Sequence, residues 1–140
     1  KIKNQKSKIQ TKMQEYFEKD KAKDEFSKRI YGYIIRLVKF LAALPKDAVI
    51  REIIGQLMRS GTSIGANYFE AKSASSRKDY QNYFNHSLKS ANESKFWLNV
   101  LSDSNLVPRG LISECQWLLQ ETIELANIFA SSILTMKGQR

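Results

Sequence analysis

The chain has 140 residues, of which 42% are hydrophobic and 26% charged, and its formal net charge is +9. This length and balance fit one globular domain with a core, and no apolar run approaches the roughly 18 residues of a membrane span. The excess positive charge indicates an acidic partner, such as nucleic acid, an anionic membrane surface or an acidic protein, unless it serves only solubility.

A single cysteine and a single histidine limit the chemistry open to the chain. Cys115 cannot form an internal disulfide, which favours a cytoplasmic protein, and its apolar surroundings near Leu118 indicate a buried thiol. His86 alone cannot supply a helical zinc motif or a di-metal site, although four candidate carboxylates are present, Glu70, Glu93, Glu121 and Glu124. We therefore predict no catalytic residue, no metal and no cofactor.

Residues 1–12 carry five lysines and no acidic residue. This composition predicts a mobile basic arm or the frayed start of a helix over residues 1–13. Such a segment could contact phosphates or remain solvated. The helical bundle itself is expected over residues 14–137.

Apolar residues at three- and four-residue steps predict a first helix from about Gln14 to Ala43. The series consists of Phe17, Phe26, Ile30, Tyr33, Ile34, Leu37, Phe40, Leu41 and Leu44. Pro45 ends this helix, because the residue before proline avoids the α region. Asp47 is the predicted N-cap of a second helix, which keeps helical spacing from Ile50 to Tyr68 and ends between Glu70 and Ser73.

Two further helices follow. The third is predicted from about Arg77 to Ser102, capped by Ser75 or Ser76, and the fourth from about Leu111 to Met136. The expected inward residues of the third helix are Tyr80, Tyr83, Phe84, Ser87, Leu88, Ala91, Phe96, Trp97, Leu98 and Leu101. Those of the fourth are Ile112, Cys115, Leu118, Leu119, Thr122, Leu125, Ala126, Phe129, Ile133 and Met136. Short loops between long helices predict an all-α, up-down-up-down antiparallel four-helix bundle.

The stretch "RSGTSIGAN", residues 59–67, is rich in small residues that disfavour helices. Helical spacing nevertheless continues across it, and the spacing of Gly61 and Gly65 does not fit a phosphate-binding loop. We interpret it as a close-contact seam, where the glycines let another backbone approach and Ser60, Ser63 and Asn67 supply hydrogen bonds.

Polar residues on the second and third helices are expected to pair between helices or between subunits rather than to form a ligand site. The residues assigned to such packing are Gln56, Arg59, Ser60, Gly61, Ser63, Gly65, Asn67, Glu70, Ser87, Glu93 and Trp97, with Asn92 alongside. The candidate nucleic-acid contacts are the cations Arg51, Arg59, Lys72, Arg77, Lys78, Lys89 and Lys95. Aromatic residues of the third helix are expected in the core, with base stacking as the alternative.

Two motifs lie between Gln56 and Leu101. The first reads Gln-x-x-Arg-Ser-x-x-Ser-Ile-x-Ala-Asn-x-x-Glu-[Gly/Ala] and is matched by Gln56, Arg59, Ser60, Ser63, Ile64, Ala66, Asn67, Glu70 and Ala71. The second consists of Ser87-Leu88, Ser90-Ala91, Glu93 and Trp97-Leu98. With these motifs the chain resembles the bacterial four helix bundle family, also called the 23S rRNA intervening-sequence protein family, in pattern over about residues 26–135.

The resemblance implies a four-helix bundle that assembles as a homopentamer and has no established enzymatic activity. A related branch, the accessory variability proteins of diversity-generating retroelements, binds nucleic acid and a reverse transcriptase. Members often carry two consecutive arginines where this chain has Met58-Arg59, which removes one charge from that face. The expected function is therefore an oligomeric protein that binds RNA or DNA, with a protein–protein scaffold as the alternative.

Overall fold

Four α-helices in an up-down-up-down arrangement form the protein, as predicted. The computed structural model describes residues 2–138, apart from the side chains at positions 16, 20 and 24. The helices are α1 (Ile2–Ala43), α2 (Ala48–Ala71), α3 (Arg77–Asp103) and α4 (Ile112–Met136), and one 3₁₀ turn, Arg109–Leu111, precedes α4. Residues 2–138 contain no strand, and the all-α class is confirmed.

Contacts between the helices show that neighbours run antiparallel. Arg29 of α1 pairs with Glu121 of α4, while Arg36 pairs with Glu114. Moving seven residues forward along α1 therefore moves the contact seven residues backward along α4. This relationship is the one that an antiparallel pair requires.

Side-chain caps mark the helix ends at the α1–α2 and α2–α3 turns. The carboxylate of Asp47 accepts a hydrogen bond from the Ile50 N–H at 3.0 Å, and the hydroxyl of Ser76 accepts one from the Asp79 N–H at 3.0 Å. At the end of α1, the Lys46 ammonium donates to the carbonyl of Leu41 at 3.0 Å. Each cap satisfies a backbone group that the helix leaves unpaired, and an N-cap contributes about 1 kcal/mol.

The first helix is longer than the sequence pattern indicates. α1 begins at Ile2 rather than near Gln14, because no glycine or proline interrupts residues 2–31. Lys1, the first residue of the predicted arm, lies outside the described residues. The described side chains of residues 2–25 are all exposed, so the helical periodicity there is not accompanied by packing. Phe17, which the apolar series includes, is 61% exposed.

The core runs along the centre of the bundle and receives side chains from all four helices. Ile30, Leu57, Leu98 and Leu118, one from each helix, are fully buried. An aromatic cluster of Phe26, Tyr68, Phe84 and Phe129 closes the end of the bundle near the α2–α3 turn. Among residues 2–138, no helix carries an apolar stretch long enough to cross a membrane.

Besides Phe17, two residues predicted to face inward are exposed. Phe96 is 56% exposed, because it lies about 100° around α3 from Trp97, which packs against the core. Ile112 is 46% exposed, because it is the first residue of α4 and lies at the margin of the bundle. The apolar stripes of α3 and α4 are therefore narrower than the sequence pattern indicates.

Candidate functional site

Buried hydroxyl groups join α2 to α3 along the small-residue stretch 59–67. The Ser94 hydroxyl donates to the Ser60 hydroxyl at 2.8 Å, and the Ser87 hydroxyl donates to the backbone carbonyl of Ile64 at 2.8 Å. Each of these serine side chains is almost completely shielded from solvent. A buried hydroxyl without a partner costs about 1–3 kcal/mol, so these bonds hold α2 and α3 in one register.

The two glycines of the stretch face α1 rather than α3. A methyl group added at Gly61 would overlap Leu37 Cδ2, and one added at Gly65 would overlap Ile34 Cδ1 and lie 3.2 Å from Ile30 Cγ2. The sequence predicted that a backbone approaches here, and the structure instead places apolar side chains of α1 against both glycines. Each missing Cβ leaves a depression that a branched side chain fills.

The charged residues of the two motifs lie on the surface of the single chain. Arg59, Glu70 and Glu93 are exposed, and the Arg59 guanidinium lies back along α2 over Gly55. Asn67 donates within its own helix, to the Ser63 carbonyl at 2.9 Å. Gln56 and Trp97 are half-buried. Across residues 2–138, Arg59 forms no ion pair with either glutamate, so interhelical pairing of these charges does not occur within one copy.

The seven candidate nucleic-acid contacts do not form one patch. Arg51, in the first turn of α2, and Lys72, which follows the last residue of α2, are 21 residues apart, which corresponds to about 30 Å. Lys78 and Lys89 are about three helical turns apart and share one exposed face of α3. The two that the structure brings together are Lys72, which follows α2, and Arg77, which begins α3.

A cavity of ≈ 680 Å³ lies between α1 and the turn that joins α2 to α3. Lys21 and Lys23 of α1, Lys72 and Arg77 all line it, and the described lining residues include no carboxylate. Cations gathered around one concave surface concentrate positive potential there. We call this feature the cationic cavity.

Contacts at its wall hold two of these cations in place. The Lys72 ammonium donates to the Ser27 hydroxyl and lies 5.4 Å from the centre of the Tyr68 ring. The Arg77 guanidinium donates to the Met136 carbonyl at 3.1 Å, at the end of α4. Uncharged groups therefore position both side chains, and no carboxylate among the described residues forms an ion pair with either one.

Lys21 and Lys23 were not among the residues predicted from the sequence to bind nucleic acid. Their spacing along α1 is not distinctive, because many lysines occur between residues 1 and 28. The antiparallel packing of α1 against α2 brings them to the α2–α3 turn. Predicting them would require knowing how α1 packs against α2, which the pattern within one helix does not reveal.

An ion pair links α1 to α4 near the middle of the bundle. The Arg29 guanidinium contacts both Glu121 oxygens, at 2.5 and 3.3 Å, and lies 3.7 Å from Glu124. The hydrogen bond with Glu121 raises the pKa of Arg29, against the smaller opposing effect of burial. Glu121 and Glu124, two of the four glutamates that the sequence offered as metal ligands, therefore lie beside Arg29 in a structural ion pair. No group of three ligating side chains occurs within the described residues.

The remaining candidates for nucleophilic or acid–base chemistry are separated. Cys115 is 1% exposed, and burial raises the pKa of its thiol, which disfavours the reactive thiolate. His86 is exposed on α3. The structure therefore places Cys115 in the core and His86 in solvent.

Taken together, these features define a four-helix bundle with a hydroxyl-lined α2–α3 seam and a basic, concave surface at one end. The family model for the 23S rRNA-intervening sequence protein matches residues 23–129. The chain belongs to this family.

A solved structure supports the same assignment. It is the crystal structure of a protein of unknown function from the S23 ribosomal protein family of Bacteroides thetaiotaomicron, which is 34% identical to this chain. The match covers 76% of this chain and 96% of that one, with a TM-score of 0.66. No curated protein matches the chain significantly in sequence.

Proposed function

We propose that this protein is a non-enzymatic, oligomeric bundle that binds nucleic acid, RNA or DNA, through its basic surface. The observation that carries the proposal is the net charge of +9 together with the exposure of the cations on α2 and α3. Of the seven candidate contacts, Lys95 is half-buried and the other six are exposed. Cations in such positions can neutralise phosphates and release their counterions.

The proposed assembly is the homopentamer that the family resemblance implies. Apolar side chains exposed on the single chain support an interface between copies. Tyr31 and Ile35, one turn apart on α1, are 59% and 37% exposed, and Met58 and Phe69 of α2 are 37% and 38% exposed. A second copy could cover these side chains, and Arg59 could then pair with a carboxylate of its neighbour.

The absence of catalysis is also part of the proposal. The buried Cys115 and the exposed His86 do not form a nucleophile–base pair, and the described residues that line the cationic cavity supply cations rather than a proton carrier tuned for acid–base work. The single cysteine is consistent with action in the cytoplasm.

Binding is tested with fluorescein-labelled single-stranded RNA and DNA of 20 nucleotides, followed by fluorescence anisotropy at several salt concentrations. We expect binding at about 50 mM salt that weakens steeply by about 200 mM, as phosphate contacts require. Absence of binding to both probes at the lower salt concentration would overturn the proposal. It would favour the second candidate, a protein–protein scaffold, which the exposed apolar residues also support.

Light scattering tests the assembly independently of binding. One copy has a mass of 16.1 kDa, so five copies give about 80 kDa. A mass of one copy at micromolar concentration would contradict the proposed pentamer and leave the binding result unaffected.

A further inference from the structure

We infer that the cationic cavity binds the phosphate group of a nucleotide. The inference rests on the proposed function and deepens it, because it assigns phosphate binding to one concave site rather than to the whole basic surface. Four cations, Lys21, Lys23, Lys72 and Arg77, reach the cavity from α1, from the end of α2 and from the start of α3. Convergence of cations from three separate elements distinguishes it from an ordinary charged helix face.

The described residues engage only some of the hydrogen-bond donors of Lys72 and Arg77. An ammonium group has three N–H donors and a guanidinium has five. In the structure Ser27 accepts one donor of Lys72, and the Met136 carbonyl accepts one donor of Arg77. Asp79, in the first turn of α3, accepts hydrogen bonds from the Ser75 amide and hydroxyl instead, at 3.3 and 3.5 Å. A phosphate entering the cavity would meet donors with positive charge.

The remaining wall favours a nucleotide over a bare phosphate ion. Tyr80 lines the cavity, and its ring stacks on Phe84 with centroids 4.7 Å apart. This contact holds the ring in one orientation, so it offers a rigid aromatic wall against which a base or ribose can pack. The cavity volume of ≈ 680 Å³ lies within the range of about 300–1,000 Å³ that is typical of small-molecule sites.

The test compares two double variants that remove the same charge. Lys72→Ala/Arg77→Ala removes two cavity cations, while Arg51→Ala/Lys89→Ala removes one cation from α2 and one from α3 outside the cavity. Binding of the labelled RNA is measured by anisotropy. Binding of ADP and of inorganic pyrophosphate is measured by calorimetry, which separates a nucleotide from a free phosphate source.

We expect the cavity variant to weaken RNA binding about ten-fold and the control variant to weaken it less than about three-fold. The slope of log affinity against log salt should fall by about 0.7 in the cavity variant, since the cavity holds one phosphate and each phosphate contact with a single strand contributes about 0.7. ADP should bind the unaltered protein more tightly than pyrophosphate does, and only the cavity variant should lose ADP binding.

The outcomes distinguish failure of the cavity inference from failure of the proposed function. Equal losses of RNA and ADP binding in both variants would overturn the cavity inference and leave nucleic-acid binding by the surface intact. If the unaltered protein binds ADP at the cavity but binds neither nucleic acid, the cavity inference stands and the proposed function fails. Pyrophosphate binding as tight as ADP would overturn the nucleotide assignment, and binding of none of the probes would overturn both claims.

A second pair of variants tests the inference without disturbing the packing around Lys72. Lys72 also contacts Ser27 and Tyr68, so its removal could disturb packing. Lys21→Ala/Lys23→Ala changes only exposed side chains of α1, and Lys3→Ala/Lys6→Ala is its matched control on the same helix. The first pair should weaken ADP and RNA binding and the second should not; no difference between them would overturn the inference.

Discussion

Ser94 of α3 donates a hydrogen bond of 2.8 Å to Ser60 of α2, at a position where both side chains are buried. Two small hydroxyl groups satisfy each other there and allow the helices to approach closely. Within the described residues, every buried side-chain nitrogen or oxygen has a hydrogen-bond partner. The pair therefore contributes both to the stability of the bundle and to the register of α2 against α3.

Removing one hydroxyl of this pair should lower the free energy of unfolding more than removing both hydroxyls. Ser94→Ala leaves the Ser60 hydroxyl buried without its donor, and we expect the free energy of unfolding to fall by about 1–2 kcal/mol. Ser60→Ala/Ser94→Ala removes the unsatisfied group as well and should recover part of that loss. Urea unfolding followed by circular dichroism measures both variants. Strictly additive losses would show that the bond does not couple the two helices.

The glycines of the small-residue stretch should not tolerate a methyl group. Gly61→Ala places a Cβ against Leu37, which is fully buried, and we expect a loss of about 1–3 kcal/mol from overpacking. Gly65→Leu adds a larger side chain against Ile34 and Ile30 and should disrupt folding or assembly.

Gly32 supplies the control for both variants. It lies in α1 with no atom within 4 Å of an added Cβ, so Gly32→Ala should stabilise the protein by about 0.5–1 kcal/mol through helix propensity alone. Thermal melting of the three variants gives the comparison. If Gly61→Ala raised the melting temperature as Gly32→Ala is expected to, the contact with α1 would not be a tight one.

Local signals predicted the helices well, because each depends on residues close together in sequence. Pro45 and Asp47 marked the end of α1 and the start of α2, and the three- and four-residue steps identified the four apolar faces. The start of α1 was predicted near Gln14, with an arm or a frayed helix start before it, because an exposed helix without packing has no apolar pattern. The exposure of Phe96 was missed because hydrophobicity alone does not specify which side of α3 faces the core.

The candidate site was less predictable, because its residues meet only through tertiary packing. Lys72 and Arg77 lie on either side of one turn, so sequence proximity was enough to suggest them together. Lys21 and Lys23 lie about 50 residues earlier and reach the cavity through the antiparallel placement of α1. The partners of Glu121 and Tyr33 across α1 and α4 were unpredicted for the same reason.

The ion pair between Arg29 and Glu121 should stabilise the bundle more than the outer pair between Arg36 and Glu114. The Glu121 side chain is 11% exposed and that of Glu114 is 31% exposed. Arg29→Met would leave the Glu121 charge uncompensated, and we expect a loss of about 1–3 kcal/mol. Glu114→Gln at the more exposed pair should cost less than about 1 kcal/mol.

A double variant separates the ion pair from the packing of the Arg29 side chain. Arg29→Met/Glu121→Gln removes both charges and should be more stable than Arg29→Met alone. Denaturant unfolding of the variants provides the free energies. An Arg29→Met loss no larger than that of Glu114→Gln would contradict the greater contribution of the inner pair.

The stability of the bundle should fall above pH 10 because of Tyr33. Burial raises the pKa of Tyr33 to about 12, the hydrogen bond with Thr122 opposes that increase, and Glu121 adds to it. Thr122 donates its own proton to the Leu118 carbonyl at 2.6 Å, so the Tyr33 hydroxyl is the donor in the 2.5 Å contact with Thr122. Losing the Tyr33 proton would therefore remove a buried donor as well as create a buried charge.

The direction of the effect follows from the pH at which Tyr33 loses its proton in the native chain and in the unfolded chain. Below pH 10 the native and unfolded chains both hold it, and the contribution to stability is fully present. Between pH 10 and 12 the unfolded chain ionises first, so unfolding becomes more favourable by up to about 3 kcal/mol. Tyr33→Phe cannot ionise, and the difference in unfolding free energy between the unaltered protein and this variant should shrink across that range. Ionisation of other groups cancels in that difference, so parallel stability curves from pH 9 to 12 would show that Tyr33 does not control the alkaline transition.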